Sequence, residues 1–407
     1  MGVRSIVAVA PCAVALLVAV PACSNLLGDF SVGGSGEPDG SMEAAPPGDD
    51  GQAADGDDVA LTDATADAMA DADAAAAPTC DAGLTACNAS CVNTQSDKAN
   101  CGACGHDCLG GTCATGVCQA YVVVQPPNTQ EAARGVTDGK SIIYTDMGNG
   151  IVAQMPVAGG NPILLSNHGS SCGIALGGGK VAMCPNGTQD LWLATIGTPN
   201  SGALFRSSVG GSINLFVAMD PTGARVFLSS ETSGGSFVVT YCNAVQCSTV
   251  DNRQSATYPN QIVAGPNAAY WADASTGLFT YSYQSAMTSQ IVPASYKPDY
   301  AAIDSTYVYW ADTGLQNIDR MPLTGGQVQI VVAAAPGKIT GLATDGKYVY
   351  YGVNGNVLFA PVMGGGQSVT IFNGSCGSCG AYSFTASGGF VSWGANNFYL
   401  YGAVAPL

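Results

Sequence analysis

Proton-transfer chemistry needs a tuned acid–base pair, and this 407-residue chain offers few groups for one. It holds two histidines, His106 and His168, and Glu131 is the one glutamate placed to work with His168. Those two form the candidate acid–base pair. The stretch Gly169-Ser170-Ser171-Cys172-Gly173 has the spacing of a strained nucleophile turn, with Ser171 as its nucleophile. Such a turn should lead into a helix and meet a distant histidine, yet no helical pattern follows and His168 is too near in sequence. GVTDGKS (135–141) resembles the end of a phosphate-cradling loop, but Arg134 stands where its first glycine belongs. Cys376-Gly377-Ser378-Cys379 has redox spacing without the βαβ pattern around it, so it reads as a structural staple. Cys101, Cys104, His106 and Cys108 are spaced as zinc ligands could be. An even cysteine count and an export signal favour disulfides there, so neither a metal nor another cofactor is expected.

What must position these residues is visible in composition. Charged residues are only 10% of the chain and glycine is abundant, which favours turns and strands over helices. The net charge of −17 is local: residues 24–79 hold 13 Asp and Glu and no Lys, Arg or His. Residues 121–407 hold 13 acids against 10 bases. The acidity belongs to a tail, and no basic stripe exists to meet nucleic acid.

Residues 1–22 read as a signal peptide: Arg4, an apolar run from Ile6 to Val20, then Pro21-Ala22-Cys23. The ending V-P-A-C resembles the lipobox of bacterial lipoproteins, which implies that Cys23 receives a lipid and holds the chain at an outer membrane or cell surface. Plain secretion is the alternative. Residues 23–79 carry that attachment site and an Ala/Asp/Gly/Pro-rich linker too poor in large apolar groups to offset its ordering entropy, so a solvated tether is expected.

Residues 80–118 pack eight cysteines, at 80, 87, 91, 101, 104, 108, 113 and 118, into 39 residues. So few apolar side chains cannot make a core, and cross-links must replace it. Four bridges are expected, in any of 105 pairings. With CVNTQSD, NCGACGHDC and GGTC, the segment resembles the stigma-specific Cys-rich family. Bacterial copies, notably in myxobacterial predicted lipoproteins, sit between a lipobox and a larger domain, and the resemblance implies no chemistry.

Residues 121–407 repeat. IIYTDMGNGIVAQMPVAGGNPILLS (142–166), VYWADTGLQNIDRMPLTGGQVQIVV (308–332) and VYYGVNGNVLFAPVMGGGQSVTIF (349–372) share one pattern. Each has an aromatic strand, a turn, a second strand, a Gly-Gly and a β-branched strand. LFRSSVGGSINLF (204–216) reads as a weaker copy. A further short strand precedes each aromatic one, as in GVTDGK and GLATDGK, giving four strands per unit at a spacing of roughly forty residues. The expected fold is an all-β, seven-bladed β-propeller (alternative: six-bladed), with the strand YVVVQPP at 121–127 completing a short last unit. Tyr270-Trp271-Ala272-Asp273 and Tyr309-Trp310-Ala311-Asp312 resemble the YWTD repeat of low-density-lipoprotein-receptor propellers, which implies that the Asp ties neighbouring blades together.

Within the ring, Cys172 with Cys184, Cys242 with Cys247 and Cys376 with Cys379 are expected to pair locally. Links between blades contribute Glu131, Arg134, His168, Tyr258, Asn260, Lys297, Asp299, Tyr300 and Lys338, a polar set that could bind a small ligand. The functional expectation is a monomeric, lipid-anchored surface module that binds a protein or glycan. The alternative is a lactonase- or lyase-like enzyme working in that funnel.

Overall fold

The computed structural model describes residues 78–125, 132–185, 188–209, 213–232, 236–254, 259, 261–374, 381–395 and 399–407. Cys23, Glu131, Tyr258, Asn260 and the Cys376–Cys379 pair lie outside the described residues. Seven four-stranded antiparallel sheets stand around one axis. The first blade runs Ala132–Thr137, Ser141–Asp146, Ile151–Pro156 and Ile163–Ser166 from axis to rim. The second runs Ser170–Gly177, Lys180–Pro185, Leu191–Thr195 and Ala203–Arg206. The third is Ile213–Met219, Val226–Glu231, Ser236–Cys242 and Cys247–Gln254, and the fourth Ile262–Ala264, Ala268–Asp273, Gly277–Ser282 and Met287–Pro293. The fifth is Pro298–Ile303, Tyr307–Asp312, Asn317–Pro322 and Gln329–Val332, and the sixth Ile339–Thr344, Tyr348–Val353, Asn356–Pro361 and Val369–Phe372. The seventh joins both ends of the ring: Ala381–Ser387, Phe390–Ala395 and Leu400–Val404 are completed by Tyr121–Val124, with Leu400 opposite Val124. Neighbouring inner strands touch all round, and the seventh closes on the first. The ring has seven blades.

The hexapeptide YVYWAD owes its bulk to this geometry. As a second strand it is covered on both faces: Val308 and Trp310 pack toward the fourth blade, Tyr309 and Ala311 toward the sixth. Aspartates shape the hairpins. Asp345 Oδ1 accepts the amides of Lys347 and Tyr348, at 2.9 and 2.8 Å, while Gly346 takes the positive φ (86°) that a side chain would resist. Asp138 repeats the arrangement with Lys140 and Ser141. GVTDGKS is therefore a β-turn, not a phosphate loop. Asn354-Gly355 supplies positive φ at both residues, whereas at Asn149-Gly150 only the glycine does.

Two expectations change. The aspartates of the YWxD elements bind their own turns: Asp312 Oδ1 accepts the amides of Gly314 and Leu315, and Asp146 binds Asn149. Blades are tied through other groups. Trp271 Nε1 donates to Asp251 (3.0 Å), Thr288 Oγ1 to the Val250 carbonyl (2.6 Å) and Thr340 Oγ1 to that of Ala381 (2.7 Å). The segment 204–216 is no copy of the repeat. Gly159-Gly160 and Gly325-Gly326 join third to outer strands, whereas Ala203–Arg206 is the outer strand of the second blade and Ile213–Met219 the inner strand of the third; Gly210-Gly211 lies outside the described residues.

The Cys-rich module pairs Cys80–Cys91, Cys87–Cys104, Cys101–Cys113 and Cys108–Cys118. The sulfurs of Cys101, Cys108 and Cys118 are buried within 4.8 Å of one another, where a core would otherwise be. Cys104 bonds Cys87 and His106 faces two carbonyls, so the zinc-like spacing gathers no ligand set. In the ring Cys172–Cys184 and Cys242–Cys247 are bonded. Among the described residues no helix is long and apolar enough to cross a membrane.

Candidate functional site at the axial face

In each blade the chain runs down the inner strand, so the links arriving from the previous outer strand share one face of the ring. That face is where the candidate ligand residues were expected. A register shift breaks most inner strands near it: between Ala132 and Arg134, Ser170 and Ile174, Asn214 and Phe216, Pro298 and Ala301, Ile339 and Gly341, and Tyr382 and Thr385. A bulge re-aims side chains that would otherwise pack between blades.

Two side chains reach across the axis, Phe216 beside one of these bulges and Gln261 from just before the fourth inner strand, which has none among its described residues. Phe216, on the third blade, is 1% exposed and packs in a core otherwise built from the fifth and sixth blades. Because the fourth blade stands between, Phe216 reaches that core across the centre. Gln261, just before the fourth inner strand, is 1% exposed and donates from Nε2 to the Leu342 carbonyl of the sixth blade at 3.4 Å. It too spans the axis, passing the fifth blade, and its Oε1 is buried without a protein partner. Both side chains cross the lumen at this depth.

His168 does not turn toward this centre. Its exposed ring lies 4.6 Å from that of Trp192, on the third strand of the second blade, so it leans outward. Its amide is held by Ser166 Oγ at 3.1 Å. Ser171 lies on the second inner strand, which is followed by another strand and no helix. Neighbouring Ser170 Oγ donates to the Gly173 carbonyl and accepts the Cys184 amide, so GSSCG is a bulge held by hydrogen bonds.

The remaining candidates scatter. Lys297 has a left-handed backbone (φ 42°), presents its side chain to solvent and offers its carbonyl to Thr313. Lys338 is exposed, Arg134 half-buried and hydrogen-bonded or otherwise partnered. Asp299 is 7% exposed and Tyr300 fully buried in the core shared by blades five and six. Burial pushes the Tyr300 phenol up strongly, with the Asp299 carboxylate adding to it, so the hydroxyl stays neutral. Tyr300 is buried in the core, and its hydroxyl has no hydrogen-bond partner among the described residues.

A groove of about 330 Å³ opens elsewhere, at the side of the ring between blades two and three. The outer strand of the second blade has four residues and that of the third eight, so the third blade's flank is left uncovered. Hydroxyls of Ser208, Thr232, Thr240, Ser248 and Thr249 line it. Neither this groove nor the axial crossing of Gln261 has a signature in the local sequence pattern.

Residues 60–121 match the model of the Stigma-specific STIG1-like protein family. A search of curated proteins returns no match. In fold the chain is similar to a catalytically inactive virginiamycin B lyase from Staphylococcus aureus with quinupristin, at 11% identity and TM-score 0.54, over 70% of this chain and 99% of that one. A streptogramin B lyase aligns at 10% identity and TM-score 0.53, over 70% and 97%. The Neurospora crassa Pan2 WD40 domain aligns at 9% and 0.50, over 71% and 96%. At these identities the likeness is one of fold alone.

Proposed function

We propose that the chain is an exported protein anchored by a lipid on Cys23, and that its ring binds a protein or glycan partner without transforming it. Six disulfides among the described residues belong to an oxidising compartment, which supports export. The observation that carries the binding reading is the pose of His168. A general base must come within about 3 Å of the proton it takes. This ring is instead laid on Trp192 toward the rim, while Phe216 and Gln261 cross the axis.

The test is a screen of lactone, ester and lyase substrates with the parent protein, His168→Ala and Glu131→Gln. The expected result is no turnover that depends on either residue. A rate that both substitutions cut by roughly 10²–10⁴-fold would make the ring an enzyme. Saturable binding of the parent ring on protein and glycan arrays, retained by both variants, is the positive counterpart.

A further inference from the structure

The imidazole of His106 stands between two backbone carbonyls. Its Nδ1 lies 2.5 Å from the oxygen of Cys101, within its own module, and its Nε2 lies 3.0 Å from the oxygen of Ala405, just past the last strand of the ring. A carbonyl oxygen only accepts, so each contact needs an N–H on the ring. The neutral imidazole carries one N–H and would turn a lone pair toward the other carbonyl. The imidazolium carries two. We propose that His106 is a proton-dependent latch: as an imidazolium it fastens the Cys-rich module to the seventh blade, and loss of its proton gives up one of the two bonds and loosens the module.

The position gives this chemistry leverage. The His106–Ala405 contact is a side-chain hydrogen bond that crosses from residues 80–118 to the ring. Beside it stand a backbone bond from Ala120 to the Ile371 carbonyl (3.1 Å), the Tyr121 phenol with Gly110 and Asp107, and apolar contacts. Val117 and Ala120 pack on the core of blades six and seven, Leu109 on that of blades seven and one, and Val404 against the module's cystines. The apolar contacts carry no titratable group. Three residues after Cys118 the chain becomes Tyr121–Val124, the strand that closes the ring, so loosening the module acts on the closure itself.

The charged and titratable groups around His106 are few. On the module they are Asp107, next in the chain, Asp97, and Lys98, whose Nζ donates to the Leu109 carbonyl at 3.3 Å. On the ring side they are Tyr121, whose phenol is raised by burial and by the Asp107 carboxylate, Tyr401, Tyr348, whose hydroxyl reaches the Leu407 carbonyl oxygen at 3.2 Å, and Lys347, 5.5 Å from the centre of the Tyr348 ring. Of these side-chain types the imidazole is the one that ordinarily changes charge between about pH 5 and 8.

Amide hydrogen exchange on the intact chain tests the latch at about pH 5.5 and about pH 8, either side of the ordinary imidazole range. Two amides report the junction after correction for intrinsic rates: Ala120, bonded to Ile371, and Ala405, bonded to the Gly389 carbonyl at 2.7 Å. In the parent their protection should fall roughly ten-fold or more on going to the higher pH, the worth of one charge-assisted hydrogen bond. His106→Gln donates at one end only and does not titrate, so its protection should be low and equal at both pH values. His168→Gln should behave as the parent. Equal protection at both pH values in the parent, or a pH response that survives in His106→Gln, would overturn the proposal. Nitrogen-15 spectra of the two histidines in the parent give an answer even if His106→Gln fails to fold. The latch requires both His106 nitrogens to carry protons at the lower pH with the module docked, and a neutral ring there refutes it.

Discussion

The indole N–H of Trp271 donates to Asp251 Oδ2 at 3.0 Å, so the tryptophan of the fourth blade is tied to the outer strand of the third. Asp251 is itself bound by Arg253, whose Nη2 is 2.6 Å away and whose guanidinium lies over the Phe279 ring. Trp310 occupies the same place one blade on, but Val292 stands where its acceptor would be and its N–H is buried without a protein partner. Both indoles are fully buried, so Trp→Phe costs packing at either site. Only Trp271→Phe also loses a bond to a charged acceptor, worth about 1.5–3 kcal/mol. Trp271→Phe should therefore melt roughly 3–6 °C below Trp310→Phe in calorimetry. Equal melting temperatures would mean that the bond contributes nothing.

Asp319 gives the ring a pH dependence of its own. It lies opposite Trp310, is 2% exposed, and its Oδ1 has no protein partner. Burial, with the Asp312 carboxylate second, raises it from 3.8 to about 6. The folded state therefore holds this proton more tightly than the unfolded chain. The stability that follows is fully present below pH 4 and is lost as pH rises toward and through about 6. Each pH unit between the two values is worth about 1.4 kcal/mol, so the ionised form costs about 3 kcal/mol near neutrality. Asp319→Asn should melt higher than the parent at pH 7 and show a flatter profile between pH 4 and 6, read by thermal denaturation. A parent profile that rises through that window would contradict the assignment.

How much of this was legible follows from where the determinants sit. The two-sided burial of Tyr307–Asp312 and the aspartate turns of GVTDGK and GLATDGK are local, so pattern alone announces blades and strand order. That a strand from the front of the ring completes the last blade was legible because the last unit is one strand short; its register, Leu400 opposite Val124, was not. Gln261 reaching Leu342 depends on how seven blades close, and no neighbouring residue encodes it. The Gly-Gly of 210–211 misled because glycine pairs mark turns of any kind; only strand order separates a link from a hairpin. The cystine pairing of the module was equally hidden, since eight cysteines fix the number of bridges and not their partners.

Reduction should reach the ring through the module. Cys108–Cys118 closes a separation of ten residues and lies three residues before the closing strand. Removing such a bridge costs roughly 3 kcal/mol in a module without an apolar core to replace it. Cys108→Ser with Cys118→Ser should lower the melting temperature of the seventh blade, followed by exchange at Leu400–Val404, as well as that of the module. A module that unfolds while Leu400–Val404 keeps its protection would show that closure is independent of it.

The proposed lipid anchor is tested at Cys23. Val20-Pro21-Ala22-Cys23 ends an apolar run short for a membrane span and broken by Pro11, and Cys23 follows small residues suited to cleavage. A cysteine at a mature N-terminus that received only one acyl chain would hold a membrane weakly, at about 0.8 kcal/mol per buried CH₂. A diacylglyceryl group with an added N-acyl chain supplies three chains and a stable anchor. Membrane-fraction protein should therefore be heavier than residues 23–407 by that lipid, and Cys23→Ala should leave the membrane while its ring folds unchanged. An unmodified soluble product beginning at Cys23 would replace anchoring with simple secretion.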